Sequence, residues 1–243
     1  MKTLLKFFLF VPLLLVGCSS DDSNRNAGES VGFDSFLSFS FEGNTDTKDA
    51  IETVVRETLI LVNARMSLED INIIVSSTPA SIIPEIGIGG SSPNGFDILM
   101  SVDLDFPNLA NSIANEFGPL LAHEMHHAKR QRSTEGYGTT LFEACVSEGL
   151  ADCFSMEVFD IDPPIWSVAL AEADLEAWIN SAEQTWDDDN YNHPEWFFGT
   201  SANIPRWTGY SIGYKLVKDY LVINTDQEPS DLYDEPADSF LED

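Results

Sequence analysis

The chain has 243 residues, with 41 acidic against 12 basic side chains and a formal net charge of −29. A surface this negative repels phosphate backbones, which argues against nucleic acid as a partner, and it repels anionic lipid headgroups, so charge cannot bring it to a membrane. Hydrophobic residues make up 43% of the chain, including 16 Phe, which argues for a globular domain with a real core and against a disordered chain.

The N-terminus reads as a secretion signal outside the fold. Lys2 and Lys6 supply the positive start, and Phe7 to Val16 supply an apolar run shorter than the ~20 residues of a spanning helix. Leu15-Val16-Gly17-Cys18 resembles a lipobox, in which cleavage precedes the cysteine and lipid is attached to it. The acidic run after it, with Asp21 and Asp22, resembles a surface-export signal of lipoproteins in some Gram-negative bacteria. The expected organisation is a lipoprotein signal over 1–17, a lipidated Cys18 and flexible acidic tether over 18–32, a folded domain over 33–225 and an acidic tail over 226–243. The expected location is the cell envelope of a Gram-negative-type bacterium, anchored to the outer membrane by lipid alone, on its periplasmic or its outer side.

Ile51, Val54, Val55, Leu59, Val62 and Met66 share one helical face and predict a helix over Asp46–Met66. Ile71–Val75 and Phe96–Val102 predict strands, and Gly87, Gly89, Gly90, Pro93 and Gly95 predict turns between them. A helical run from Asn108 breaks at Gly118-Pro119. Because proline fits the first turn of a helix and not its interior, a new helix is expected from Pro119 to Arg132. Further helices are expected over Thr139–Phe159, Ile165–Trp186 and Gly209–Ile223, with an acidic, turn-rich loop over Asp187–Pro194. Asp187-Asp188-Asp189-Asn190 lacks a calcium-loop pattern and reads as a solvated turn. Cys145 and Cys153 lie eight residues apart on one helix, ~12 Å along its axis, too far for a disulfide. Strands first and helices after point to an α+β fold.

His123-Glu124-Met125-His126-His127 matches the H-E-x-x-H pattern. On a helix, residues four apart share a face, so His123 and His127 can turn two imidazole nitrogens to one zinc ion, with Glu124 beside its water; His126 points elsewhere. All but one of the four histidines fall in this pentad. A catalytic zinc site needs three protein ligands and an open position. Glu143, Glu148 and Asp152, on the next predicted helix, are candidates for the third.

H-E-x-x-H followed by a glutamate on the next helix resembles the gluzincins, the thermolysin-like class of zinc peptidases. Glu148-Gly149-Leu150-Ala151-Asp152 resembles the ligand helix of a family of predicted zinc-dependent proteases. Trp196-Phe197-Phe198-Gly199 and Ile204 to Tyr214 resemble a later motif of that family, and the likeness spans roughly Pro84 to Leu221. The resemblance implies a zincin-like α+β fold, with a small mixed sheet on the helix carrying His123 and a mainly helical C-terminal half carrying Glu148. It implies one Zn2+ held by His123, His127 and Glu148, with Glu124 as general base and Asp152 orienting a ligand histidine, in keeping with the habit of ligand histidines to donate their second N–H to a carboxylate. The expected activity is hydrolysis of protein or peptide substrates by a metal-activated water. Tyr210 is the first candidate for stabilising the oxyanion, ahead of Arg206, Tyr214 and His193. A catalytically silent zinc-binding lipoprotein and a zinc hydrolase of a non-peptide ester or amide are the alternatives; the intact Glu124 favours an enzyme.

Overall fold

The computed structural model describes residues 37–42, 44–78 and 82–241, so the expected signal over 1–17, the lipidation site Cys18 and the tether over 18–32 lie outside the described residues. Strands β1 (Leu37–Phe39), β2 (Asn72–Ser76), β3 (Ile88–Ser91) and β4 (Asp97–Val102) form one mixed sheet in the order β1-β2-β4-β3. β1, β2 and β4 are parallel neighbours, and β3 closes one edge antiparallel to β4, Ile88 opposite Val102 and Ser91 opposite Leu99. Side chains alternate across the pleat: Ile73, Val75, Ile98 and Met100 are fully buried, while Asn72 and Leu99 are exposed.

The inner face shares one core with helix α1 (Thr45–Asn63), through Ile51, Val55, Leu59 and Val62, and with helix α3 (Phe117–Gln131), through Phe117, Leu121 and Met125. Asn44 caps α1, its side chain accepting from the Thr47 N–H at 3.2 Å. A short helix α2 (Leu109–Asn115) precedes α3. The break between them falls at Glu116, two residues before the expected Gly118-Pro119 interruption. Pro119 is the third residue of α3, still in the first turn, where a backbone N–H would have no partner within the helix.

The second core is helical. It joins α4 (Leu141–Phe159), α5 (Glu172–Ala182), α6 (His193–Phe198) and α7 (Thr208–Ile223). Thr140 begins α4 with a capping box: its hydroxyl accepts from the Glu143 N–H, and the Glu143 carboxylate accepts from the N–H groups of Thr139 and Thr140 at 2.6 and 2.9 Å. α4 and α7 cross at Gly149 and Gly213, where a methyl group on either residue would overlap backbone of the opposite helix. Tyr210 packs against both cores. The architecture is α+β, a small mixed sheet packed with the helix bearing His123 and a mainly helical C-terminal half.

Four expected elements differ in the structure. The glycine-rich stretch expected as turns contains β3: with Ile88 fully buried and Gly89 and Gly90 almost without side chains, it is held in register by β4 rather than by its own apolar pattern. The helix expected over Ile165–Trp186 is α5 alone plus a 3-10 turn at Glu183–Thr185, and the expected loop ends in α6, whose Pro194 stands in the first turn. The segment expected as an acidic tail folds back in two 3-10 turns that bury Leu232, Ala237 and Phe240 in the helical core. Cys145 and Cys153 are free and buried, and burial pushes both thiols up. Among the described residues no helix is long and apolar enough to cross a membrane.

Candidate metal centre

Helix α3 carries His123 and His127 one turn apart, and α4 packs beside it with Glu148. The Nε2 atoms of the two histidines lie 3.0 Å apart, and Glu148 Oε2 lies 3.1 Å from His123 Nε2 and 3.2 Å from His127 Nε2. All three side chains are buried. The three atoms form a nearly equilateral triangle whose corners stand about 1.8 Å from its centre. Three donor atoms this close together could hold one small cation between them, and zinc would supply Lewis-acid chemistry there. Two imidazoles and a carboxylate are donors that suit zinc.

The tautomer of His123 fits this role. Its Nδ1 donates to Asp152 Oδ1 at 2.8 Å, so that in the neutral ring the lone pair is on Nε2, the nitrogen facing the triangle. Asp152 also accepts from Trp166 Nε1 at 2.9 Å and from the Ser167 hydroxyl at 2.6 Å, so three donors hold a fully buried carboxylate. Burial alone would lower the His123 pKa; hydrogen bonds and charge from Asp152 and Glu148 outweigh it and raise it well above the usual histidine value. Burial would raise the Glu148 pKa, but the two histidines hold it well below the usual carboxylate range. Two carboxylates in so small a volume call for positive charge at the triangle, which a metal cation supplies. The second oxygen of Glu148, Oε1, accepts from the Tyr137 hydroxyl at 2.7 Å.

Glu124 is placed differently. It is buried and makes no hydrogen bond among the described residues, and burial raises its pKa. Its carboxyl lies against Gly90 of β3, so close that a Cβ there would stand 2.7 Å from Oε1. Glu124 and His123 open on a cleft of about 590 Å3 whose apolar wall includes Ile83, Leu120, Trp166, Phe198 and Trp207. Tyr210 lines the same cleft, and burial pushes its hydroxyl well above the usual tyrosine value, so it stays a donor.

Of the remaining oxyanion candidates, Arg206 lines the cleft but pairs with Glu85 at 2.6 and 3.3 Å and stacks on Trp207. Tyr214 lies one turn beyond Tyr210, under Lys218 and away from the cleft lining. His193 stacks on Phe197 with ring centres 4.3 Å apart and shares a hydrogen bond between its Nδ1 and the Tyr191 hydroxyl at 2.9 Å, and burial lowers its pKa. His126 is buried against Phe154, away from the triangle. Glu143 is engaged in the capping box, and Asp152 bonds His123 instead of joining the triangle, so of the three downstream acids only Glu148 faces both imidazoles. Tyr137, Trp166 and Ser167 were not foreseen, because each lies in a turn segment where neither periodicity nor a motif marks it.

Residues 51–242, which include every residue of this centre, match the family described as "Predicted Zn-dependent protease (DUF2268)". A protein from Bacillus subtilis (strain 168) called "Uncharacterized protein YjaZ" is 28% identical over 151 residues, 60% of this chain; the chain spans about half the length of this curated relative, 54%. No solved structure matches the chain.

Proposed function

The chain belongs to the family of predicted zinc-dependent proteases, and from that premise we propose that it is a gluzincin-type metallopeptidase using one zinc ion, held by His123, His127 and Glu148. The observation that carries this reading is the convergence of two imidazole nitrogens and one carboxylate oxygen within 3.2 Å of one another. When bound, zinc supplies a Lewis acid that polarises a carbonyl and lowers the pKa of water to ~7.

The protein's own groups do the rest. Glu124, one residue after a ligand and facing the cleft, takes the proton of the attacking water and delivers it to the leaving amine. Its lack of a hydrogen-bond partner and its raised pKa suit a group that must gain and lose a proton at neutral pH. The Tyr210 hydroxyl, protonated and on the cleft wall, donates to the oxyanion. Asp152 keeps His123 in the tautomer that presents Nε2.

The sheet edge favours a peptide over a small ester. β3 pairs with β4 on one side, and on the other Ile88 is bridged to Ile83; beyond that bridge the edge runs on to Gly90, which touches Glu124, so an extended chain can add to the edge there, beside the base. The apolar cleft wall can take an adjoining side chain. We place the enzyme in the bacterial cell envelope, anchored through Cys18, because a positive start, an apolar run and a lipobox-like end precede the domain.

Glu124→Gln tests the reading. The variant should bind one zinc per chain and lose peptidase activity; parental turnover would overturn the assignment of the base, and zinc loss in the parent-like fold would overturn the division of labour between Glu124 and the ligands.

A further inference from the structure

Glu148 has two oxygens, and the structure treats them differently. Oε2 faces both histidine Nε2 atoms, whereas Oε1 accepts from Tyr137 at 2.7 Å. A carboxylate can grip a cation with one oxygen or with both, as the mono- and bidentate carboxylates of calcium sites show. A two-oxygen grip would take up the position that a catalytic zinc site leaves open for water.

Tyr137 belongs to the turn between α3 and α4 and is held there from several sides. Gly136 and Gly138 flank it with φ of +64° and +95°, a conformation that L side chains rarely adopt. Its carbonyl accepts from the Ser147 hydroxyl at 2.7 Å, and Ser147 Oγ accepts from Arg130 Nε at 3.1 Å. Arg130 is buried, and its Nη1 donates to the carbonyls of Tyr233 and Glu235 at 3.1 and 2.9 Å. A buried guanidinium is costly unless it is fully hydrogen-bonded, and here its bonds fix the turn to the C-terminal segment and to the ligand helix. The Tyr137 ring also lies 5.5 Å from that of His127.

We propose that Tyr137 is a positioning residue for the metal: its hydroxyl holds Glu148 Oε1 and keeps this carboxylate a one-oxygen ligand, so that a coordination position stays free for water. The inference rests on the metal site proposed above. Arg130 and Ser147 act further back, by fixing the turn that carries Tyr137.

The test is Tyr137→Phe in the full chain, which keeps the ring and removes the hydroxyl. Zinc affinity is measured by competition with a chelator, and coordination by the visible spectrum of the cobalt(II)-loaded protein, whose bands shift when a water ligand is exchanged for a second carboxylate oxygen. The variant should bind zinc about tenfold more weakly, as loss of an outer partner of a metal ligand does, and its cobalt bands should shift. A purely structural role would lower the unfolding temperature and leave the cobalt spectrum of the folded variant unchanged, and that result overturns the proposal. If Tyr137→Phe does not fold, Ser147→Ala decides: it should shift the cobalt spectrum the same way by a smaller amount, and an unchanged spectrum overturns the proposal. Glu148→Gln separates the two readings. If it binds zinc as well as the parent, the metal site itself is wrong and this inference falls with it. If it loses zinc while Tyr137→Phe matches the parent in both measurements, only the role of Tyr137 falls.

Discussion

The two walls of the metal centre are built on opposite principles. On the α4 wall every carboxylate oxygen that points inward is engaged: Asp152 accepts from His123, Trp166 and Ser167, and Glu148 faces two histidines with one oxygen and Tyr137 with the other. On the α3–β3 wall Glu124, also buried, has no hydrogen-bond partner among the described residues and rests on Gly90 where the cleft opens. Fully bonded groups are rigid, and a carboxyl without such bonds keeps its freedom to exchange a proton. On the proposed reading, one wall would hold a cation in place and the other would leave a base able to react.

Substitutions on the two walls should therefore fail in different ways. The largest effect is expected from Glu148→Ala, which removes a ligand: zinc by elemental analysis and peptidase activity should both vanish, and restored zinc without restored activity would blur the distinction. Glu124→Gln should cost ~10²–10⁴-fold in kcat through loss of acid–base catalysis, with zinc content unchanged. Gly90→Ala pushes a methyl group against the Glu124 carboxyl and should lower kcat by up to ~10²-fold, the scale of a 1 Å misplacement, again with parental zinc affinity. Asp152→Asn, on the other wall, should weaken zinc binding ~10–100-fold in a chelator titration, and a change in kcat alone would break the comparison. The smallest effect concerns Glu143, away from both walls. Burial opposes ionisation of its carboxylate, but hydrogen bonds from Thr139 and Thr140 outweigh it and lower its pKa. Its contribution is therefore present above its unfolded pKa and lost as pH falls through the lower folded value. Glu143→Gln should be less stable than the parent by a few tenths of a kcal/mol at pH 7, with the gap closing in denaturant titrations as pH falls through the lowered folded value.

Much of the fold is legible in periodicity. α1 and α7 bury residues at helical spacing, and β2 and the first half of β4 alternate buried with more open residues, so local pattern and tertiary burial agree there, whereas α4 is buried on every side and shows no such period. β3 is not legible, because Ile88-Gly89-Gly90-Ser91 has almost no side chains and only pairing with β4 makes it a strand. Nor is α6, a short helix whose Pro194 reads as a break although it sits where helices accept proline. In the C-terminal segment the acidic residues mask the spacing of Leu232, Ala237 and Phe240. At the site, His123, Glu124 and His127 are legible because one turn of helix fixes their relation. Glu148 needed a resemblance to single it out from Glu143 and Asp152. Tyr137, Trp166 and Ser167 reach the site from turns, where the chain path, and not the local sequence, decides what a side chain meets.

The crossing at Gly149 and Gly213 has a mechanical consequence. Gly149, the residue after Glu148, lies against the helix that presents Tyr210, backbone upon backbone, with no flexible side chain between them to absorb a displacement. The two helices thus behave as one girder, and the spacing between the main chains that carry Glu148 and Tyr210 is set by backbone contact. Any breathing that admits a bulky substrate has to come from the opposite jaw, where Ile83 and Gly90 border the opening.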